Sequence, residues 1–354
     1  MKQPGEYTYQ EIMSQAVIWA EVLQAFEVLK PALQTRWQDL QPRQVLFIGC
    51  GSTYFLSQIA ASLFQIHTGI PARACPSSEL LLFDKEILID PASTLLVTIS
   101  RSGTTTETVQ AVSHFRRLGG TAVWAISCYA DSSLVHLSDF ALLAEVAQEQ
   151  SMAQTRSFSS MLLLVQAMTA TLAGDETAVL SRLPGILTNL LDRSQEMVKR
   201  LGQRIEFESL FYLGSGPQNG LANEAMLKMK EMSLSHSSGF HFLEFRHGPM
   251  SMVSEDALIV GLVSDQARRH EVQVLQEMAA LGGVVLEVNA DPASTSACQV
   301  HFGESLPAWA QPVLYLPPLQ LLAYHRAMAK GLDPDRPRNL EAVIYLDETA
   351  FAPG

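Results

Sequence analysis

The chain has 354 residues, of which 47% are hydrophobic and only 17% are charged. This balance supplies a large buried core and excludes the disordered class of proteins, and the length predicts two domains or one large α/β unit. The 36 acidic and 24 basic residues give a formal net charge of −12. Because an acidic surface repels polyphosphate, we expect neither nucleic acid nor an anionic membrane as a partner.

The cysteines and the N-terminal residues indicate in which cellular compartment the protein is expected. The four cysteines are scattered, without a C-x-x-C pair or the spacing of zinc ligands, so they predict reduced thiols and no metal site. The N-terminal residues contain early acids and no apolar run, which is unlike a signal peptide. The most apolar stretch, 161–174, is shorter than the ~20 residues of a spanning helix. We therefore expect a cytoplasmic protein.

The first half of the chain alternates between strand and helix patterns. Apolar residues at helical spacing predict a long N-terminal helix, from Tyr9 to Leu40. Apolar runs then predict three strands, and amphipathic stretches predict the helices between them. The strands are 45–48, 94–99 and 121–126, and the helices are 54–65 and 105–118. This alternation indicates a parallel, doubly wound α/β sheet, of the flavodoxin-like type.

The second half repeats the pattern of the first. The strand–glycine segment 210–216 aligns with 46–51, and the Leu-Gly-Gly at 281–283 aligns with that at 118–120. Unrelated α/β domains also share short strand–glycine turns, but the recurring Leu-Gly-Gly favours a duplication. The predicted organisation is a helical segment over 1–40, a first subdomain over 41–190, a second over 205–347 and a tail over 348–354. A helical linker is expected near 182–204.

The loop Gly49–Thr53 follows the first predicted strand and opens a helix. Backbone N–H groups at such a helix start favour an anion, so Gly51, Ser52 and Thr53 are candidate phosphate ligands. The loop is not a dinucleotide fingerprint, because Tyr54 stands where the third glycine belongs, and no G-K-[ST] follows. We therefore expect no nucleotide cofactor. An ordinary turn that needs glycine is an equally good interpretation.

A second loop at the end of strand 94–99 is dense in hydroxyl groups. It reads Ser-Arg-Ser-Gly-Thr-Thr-Thr-Glu-Thr over 100–108. Hydroxyls and main-chain amides can hold a phosphate monoester without lysine, which makes Ser100, Arg101, Ser102 and Thr105 candidate ligands. Thr105 or Thr106 alternatively serves as a simple helix N-cap. One hydroxyl suffices for a cap, so the density favours a ligand.

The predicted helix 220–232 carries Glu224, Lys228 and Glu231. Spacings of four and three residues place them on one helical face, beside an apolar face. Ion pairs on a solvated face are a common alternative. However, this helix begins at the ligand-binding end of the second predicted sheet, where α/β folds place their sites.

His247 precedes Gly-Pro on a predicted turn. A histidine can move protons near neutral pH or bond to a sugar oxygen. Neither His236 nor His241 shows a metal-ligand pattern with it, so we interpret both as ordinary loop residues.

Six segments together resemble the sugar isomerase (SIS) family, and within it the isomerase half of glucosamine-6-phosphate synthase and stand-alone amino-sugar-phosphate deaminases and isomerases. They lie in order over nearly the whole chain: 49–53, 100–105, 153–158, Glu224-x-x-x-Lys228-x-Lys230-Glu231, Glu244-x-x-His247-Gly248-Pro249 and 337–340.

The resemblance implies roles for these residues. The serine- and threonine-rich loops would hold a sugar phosphate, and the segment with Ala153 and Gln154 would contact the substrate. Glu231 would move the proton between C1 and C2, with Lys228 and Glu224 beside it. His247 would come from the partner subunit of a homodimer and assist ring opening, and the dimers could pair into tetramers.

Two departures from the synthase limit this comparison. About 40 residues precede the first strand and none is cysteine, so no glutaminase domain is predicted. The synthase also has a Schiff-base lysine shortly after its Arg-Asn-Leu. Here Glu341-Ala342-Val343 follows, and the last lysine is Lys330.

The sequence therefore predicts an enzyme without the synthase's amination step. It would isomerise or deaminate an amino-sugar phosphate of the glucosamine-6-phosphate or fructose-6-phosphate type. A plain aldose–ketose isomerase, a fructosamine-phosphate deglycase and a non-catalytic sugar-phosphate sensor are the alternatives. Sensors of this family usually follow a DNA-binding module, for which residues 1–40 are too few and not basic.

Overall fold

A computed structural model of the chain describes residues 3–291 and 296–341. Its contacts divide it into two compact units. The first-sheet unit comprises Val17–Gln148 and Arg156–Ser181. The second-sheet unit comprises the described residues up to Ala16, then Glu149–Thr155 and those of Arg182–Leu340. This division differs from the predicted boundaries, because the N-terminal segment is divided between the two units and residues 149–155 belong to the second-sheet unit. The predicted tail, 348–354, lies outside the described residues.

The helices, numbered in chain order, are α1 (Glu6–Met13), α2 (Gln15–Leu40), α3 (Ser52–Thr68), α4 (Ser77–Leu82), α5 (Asp84–Ile87), α6 (Thr106–Arg117), α7 (Ser133–His136), α8 (Arg156–Ala173), α9 (Leu183–Gly202), α10 (Pro217–Ser233), α11 (Phe242–Phe245), α12 (Arg268–Ala280) and α13 (Leu316–Ala329). The predicted helical linker is α9.

Two five-stranded parallel sheets form the centres of the two units. Their strands are β1 (Gln44–Gly49), β2 (Ala72–Pro76), β3 (Thr94–Ile99), β4 (Ala122–Ser127), β5 (Phe140–Leu143), β6 (Ser209–Gly214), β7 (Ser237–Phe240), β8 (Ala257–Leu262), β9 (Val284–Asn289) and β10 (Cys298–His301). The orders are β2-β1-β3-β4-β5 and β10-β9-β8-β6-β7. Counted within each unit, both are 2-1-3-4-5, the flavodoxin-like order. The predicted α/β fold class is confirmed.

The central strands are buried along almost their full length, as expected for parallel strands covered by helices on both faces. In the first-sheet unit, Leu46, Ile48 and Phe115 belong to one apolar cluster between sheet and helices. In the second-sheet unit, Phe211 and Phe245 lie in the corresponding cluster, with ring centroids 5.0 Å apart. Each unit therefore has its own core.

The single N-terminal helix predicted from Tyr9 to Leu40 is two helices, separated at Ser14. The Ser14 hydroxyl donates to Glu11 O at 3.1 Å, a local bond that competes with helix propagation. The two helices meet at 55°. Among the described residues no single helix is long and apolar enough to cross a membrane, and only this bent pair, taken together, meets that criterion by length and composition.

The two units share the same strand-to-helix turn. Gly51 before α3 has φ 56° and ψ −124°, and Gly216 before α10 has φ 58° and ψ −133°. A side chain is strained in this conformation, so both positions require glycine. A Cβ at Gly49 or Gly214 would lie 2.5 or 2.2 Å from the backbone of the following helix. The repeated geometry agrees with the predicted duplication.

Candidate active site

The first glycine loop of the first-sheet unit is a closed turn. Thr53 Oγ1 accepts from Cys50 N at 3.0 Å and lies 3.0 Å from Cys50 O, to which it donates. Ser52 and Thr53 are both buried at the start of α3. The structure therefore gives the Thr53 hydroxyl a turn-closing role, while Gly51 lets the backbone enter the helix.

The second loop joins β3 to α6 and is held by its own hydroxyl groups. Ser100 Oγ accepts from Gly103 N at 3.1 Å and lies 3.1 Å from Thr105 Oγ1. Ser102 Oγ accepts from the Thr104 N–H and hydroxyl, both at 3.2 Å. A Cβ at Gly103 would lie 2.1 Å from Ser132 Oγ, so only glycine fits there. The loop concentrates the candidate ligands at one turn.

Thr105 occupies the N-cap position of α6, but its side chain makes no capping hydrogen bond. The interpretation of Thr105 as an ordinary side-chain cap is therefore wrong, because its hydroxyl faces Ser100 instead. The first-turn N–H groups of a helix attract an anion when no side chain neutralises them. Arg101, also a candidate, is 8% exposed, and its carbonyl accepts from Cys128 N.

The two loops meet through side chains that the sequence interpretation did not single out. Cys50 Sγ lies 3.6 Å from Thr108 Oγ1, which lies 3.0 Å from Ser77 Oγ. Burial raises the pKa of the Cys50 thiol, and it outweighs the hydrogen bonds with Thr108 and Ser77, which lower the pKa. This cysteine is therefore a neutral group at neutral pH. No motif connects these residues, because they come from three different strand ends.

In the second-sheet unit, α10 carries a buried ion triad. Lys228 Nζ lies 3.4 Å from Glu224 Oε1 and also contacts Glu231 Oε2. The side chains of Glu224 and Lys228 are 0% and 1% exposed, whereas that of Glu231 is 16% exposed. The expected common face is present, and the alternative of a solvated face is wrong. Glu231 is the member that a small molecule can reach.

The charge of Lys228 is fixed by its two carboxylate partners. Burial lowers the pKa of the ammonium, but the negative charges of Glu224 and Glu231 outweigh burial, so the pKa of Lys228 is raised. A positively charged lysine between two carboxylates orients both of them. The triad therefore presents Glu231 from a fixed position at the rim of a buried network.

His247, on the turn that follows α11, is the remaining candidate catalytic residue. It follows α11, its N–H donates to Glu244 O at 3.0 Å, and its residue is exposed. Among the described residues, no hydrogen bond or ion pair joins its imidazole to Glu231. The structure thus places His247 on the surface, where it is free to contact another molecule.

Ala153 and Gln154 belong to a loop of the second-sheet unit that precedes α8. Ala153 is 1% exposed. Gln154 is half-buried, and its Oε1 is fully enclosed without a hydrogen-bond partner among the described residues. A buried acceptor left unsatisfied costs about 1–3 kcal/mol, so this oxygen is suited to a ligand donor.

The family motif at 337–340 lies near the end of the described residues. Asn339 has φ 59°, a left-handed conformation that asparagine tolerates. Glu341 is described, but Ala342 and Val343, which stand near the lysine position of the synthase, lie outside the described residues. The effect of this sequence difference on the mechanism, namely the loss of the Schiff-base lysine, therefore stays a prediction.

Comparison with known proteins assigns the family. The SIS domain model matches residues 40–171 and 205–325. The chain belongs to the SIS domain family. These matched ranges correspond to the two sheets, so the chain is a tandem SIS protein.

Individual relatives carry amino-sugar and sugar-phosphate names. A glutamine–fructose-6-phosphate aminotransferase from Legionella pneumophila is 28% identical over 355 residues, which covers 96% of this chain. The chain spans just over half of that relative, 58% of its length. A glucosamine-6-phosphate deaminase structure from Thermotoga maritima is 27% identical, with a TM-score of 0.82 and coverage of 96% of this chain and 100% of that one.

A tagatose-6-phosphate ketose/aldose isomerase structure from Escherichia coli has a TM-score of 0.85. It covers 94% of this chain and 96% of that one at 24% identity, and it supports the fold.

Proposed function

We propose that this protein is a phosphosugar enzyme that isomerises or deaminates an amino-sugar phosphate of the glucosamine-6-phosphate or fructose-6-phosphate type. The buried Glu224–Lys228–Glu231 triad carries the proposal, because it holds one partly accessible carboxylate in a fixed position. Relatives named for glucosamine and fructose phosphates support the substrate class.

In the proposed reaction Glu231 acts as the general base. The carboxylate removes the C2 proton of the open-chain aldehyde, and the electron pair forms an enolamine. Return of the proton to C1 gives a 2-imino sugar, which water hydrolyses to the ketose phosphate and ammonia. C1 is reduced and C2 oxidised within one molecule, so no external oxidant is consumed. With a hydroxyl in place of the amine, the same transfer is an aldose–ketose isomerisation.

The substrate phosphate is assigned to the hydroxyl loops of the first-sheet unit. Ser100, Ser102 and Thr105 cluster beside the N-terminus of α6, whose first turn lacks a side-chain cap. A dianionic phosphate is favoured by both the helix dipole and the oriented donors. Ser52 and Thr53 line the neighbouring turn. No lysine is required for this mode of binding.

His247 is assigned to the active site of a twofold-related partner, where it would assist ring opening. The support for this proposal is its exposure within its own chain, together with the family resemblance. In a twofold dimer the same exchange occurs at both sites, so each site would combine Glu231 from one subunit with His247 from the other.

A substrate panel tests the proposal. Purified protein is incubated with glucosamine 6-phosphate, fructose 6-phosphate, their epimers and a fructosamine phosphate, and ammonia, amine, ketose and aldose are measured separately. Release of ammonia with ketose identifies a deaminase, conversion of a ketose phosphate into an aldose phosphate an isomerase, and release of a larger amine a deglycase. Binding without turnover of any of these compounds would overturn the enzyme assignment in favour of a sensor.

A further inference from the structure

A buried carboxylate outside the proposed chemistry anchors the loop that bears Ala153 and Gln154. Glu11, on α1, is 3% exposed. Its Oε1 accepts from Gln150 N at 2.6 Å and from Ser151 N at 3.4 Å, and its Oε2 accepts from the Ser151 hydroxyl. One side chain therefore satisfies two consecutive backbone N–H groups of the loop.

The rest of the 149–155 loop is held from its other side. Glu149 Oε1 accepts from the N–H and hydroxyl of Thr155, each at 2.7 Å. Met152 N donates to Asp335 O at 3.1 Å. These bonds fix the two ends and the middle of the loop, and the Ser151 hydroxyl lies 3.1 Å from Ala153 O. The contacts of Glu11 thus extend, through Ser151, to the residue beside Gln154.

The anchored loop presents an unsatisfied group. Gln154 Oε1 is enclosed, with no hydrogen-bond partner among the described residues. The same loop contacts α13, because Gln320 Nε2 of this helix donates to Thr155 O at 3.2 Å. Helix α13 in turn packs against α10, which carries the ion triad. A loop fixed this firmly, with a buried acceptor left over, is suited to receive a donor such as a sugar hydroxyl or amine.

We propose that Glu11 is a positioning residue, which holds the 149–155 loop so that Ala153 and Gln154 contact the sugar part of the substrate. The inference rests on the proposed function for the identity of the ligand. Glu11 would act on the sugar and not on the phosphate, which is assigned to other loops. Burial, and then the charge of Glu149, raise the pKa of Glu11, in keeping with a carboxyl group enclosed by this loop.

Asp335 offers a matched control for a purely structural effect. Its carboxylate also anchors α1, accepting from Thr8 N at 2.7 Å and Tyr7 N at 3.1 Å. Its backbone carbonyl accepts from Met152 N in the 149–155 loop, and a side-chain substitution leaves this carbonyl in place. Glu11→Gln and Asp335→Asn each remove one negative charge, that of Glu11 on α1 or that of Asp335 beside the start of α1, and Glu11→Gln also removes the charged acceptor of the loop N–H groups.

The test combines amide hydrogen exchange with two binding measurements. We expect Glu11→Gln to speed exchange at Gln150 and Ser151 by at least about tenfold, because the acceptor that remains is uncharged and an NH2 donor replaces the second carboxylate oxygen. We also expect its Kd for fructose 6-phosphate to rise about tenfold or more while its Kd for inorganic phosphate stays within about twofold. Asp335→Asn should leave the exchange rates and the ratio of the two Kd values unchanged, even where its Tm falls.

Three other results of these measurements would each overturn a different part of the proposal. Unchanged exchange at Gln150 and Ser151 in Glu11→Gln would overturn the anchoring role. Faster exchange with an unchanged Kd ratio would overturn the substrate-positioning role. A wild-type protein that binds fructose 6-phosphate no better than inorganic phosphate would overturn the proposed function itself, and the exchange data would still report on anchoring separately.

Discussion

Lys228 Nζ lies 3.4 Å from Glu224 Oε1, and both side chains are almost completely enclosed. Enclosing an ion pair has a desolvation cost, so the pair is weak evidence for stability by itself. The ion pair has a second effect, because Lys228 also contacts Glu231, the accessible carboxylate. The buried pair thus acts as a support for the proposed base.

Replacing Lys228 by methionine should destabilise the protein strongly. The variant leaves Glu224 buried without its cation, and we expect the free energy of unfolding to fall by about 3–5 kcal/mol. Chemical denaturation of wild type and variant measures this difference. Arg182→Met, which removes an exposed ion pair with Glu304 in the same unit, should cost less than about 1 kcal/mol. Equal effects of the two substitutions would contradict the burial argument.

Glu271 should make stability depend on pH. Burial raises its pKa above the usual 4.5, although Ser264 N donates to it at 2.7 Å. A carboxyl group with a raised folded-state pKa contributes its full stability below the unfolded-state value, and this contribution is lost as pH rises through the folded-state value.

The free energy of unfolding of wild type, relative to Glu271→Gln, should therefore fall between pH 4.5 and neutral pH. Denaturant titrations of both proteins at several pH values measure the difference. A difference that stays constant, or that grows with pH, would show that Glu271 is not a group with a raised pKa.

The hydroxyl loop should account for recognition of phosphate. A ligand at 100 times its Kd should stabilise the wild type by ~2.7 kcal/mol. We expect fructose 6-phosphate to raise the Tm of wild type, but not that of a Ser102→Ala, Thr105→Ala double variant. Ser113→Ala, later on α6, is the control. An equal shift with unphosphorylated fructose, or a shift that survives the double substitution, would count against the assignment.

Mixed dimers should report whether the site is shared. Glu231→Gln and His247→Ala chains, each nearly inactive alone, are unfolded together and refolded. Random pairing makes half of the dimers mixed, and each mixed dimer has one intact site if the residues come from different subunits, so about a quarter of wild-type activity should return. If verified mixed dimers stay inactive, His247 does not act across the dimer.

Much of the fold could be predicted because its signals are local. Strand β3 occupies the predicted range, Thr94–Ile99, since a fully buried parallel strand is a continuous apolar run bounded by a turn. The turns at Gly51 and Gly216 were also evident from strand–glycine–helix patterns. The break at Ser14 was missed, because the apolar spacing continues across it and a single side-chain bond accompanies the change.

The site was less predictable where it depends on distant residues. Spacing along one helix predicted the common face of Glu224, Lys228 and Glu231, but not their burial, which depends on other elements of the fold. Glu11 carried no signal at all, since the loop residue that it holds, Gln150, is 139 positions away. An acidic residue on an amphipathic helix is normally solvent-exposed, and only tertiary structure shows otherwise.

Solvent isotope exchange tests the central claim, that Glu231 transfers a proton between C1 and C2. Wild-type protein in deuterated water should place deuterium at C2 of glucosamine 6-phosphate or C1 of fructose 6-phosphate, as followed by NMR. Glu231→Gln keeps the side-chain shape but cannot accept the proton, so exchange should slow by about 10²–10⁴ while phosphosugar binding persists. Glu255→Gln, at an exposed position, should exchange at the wild-type rate. Exchange at the wild-type rate in Glu231→Gln would contradict the account.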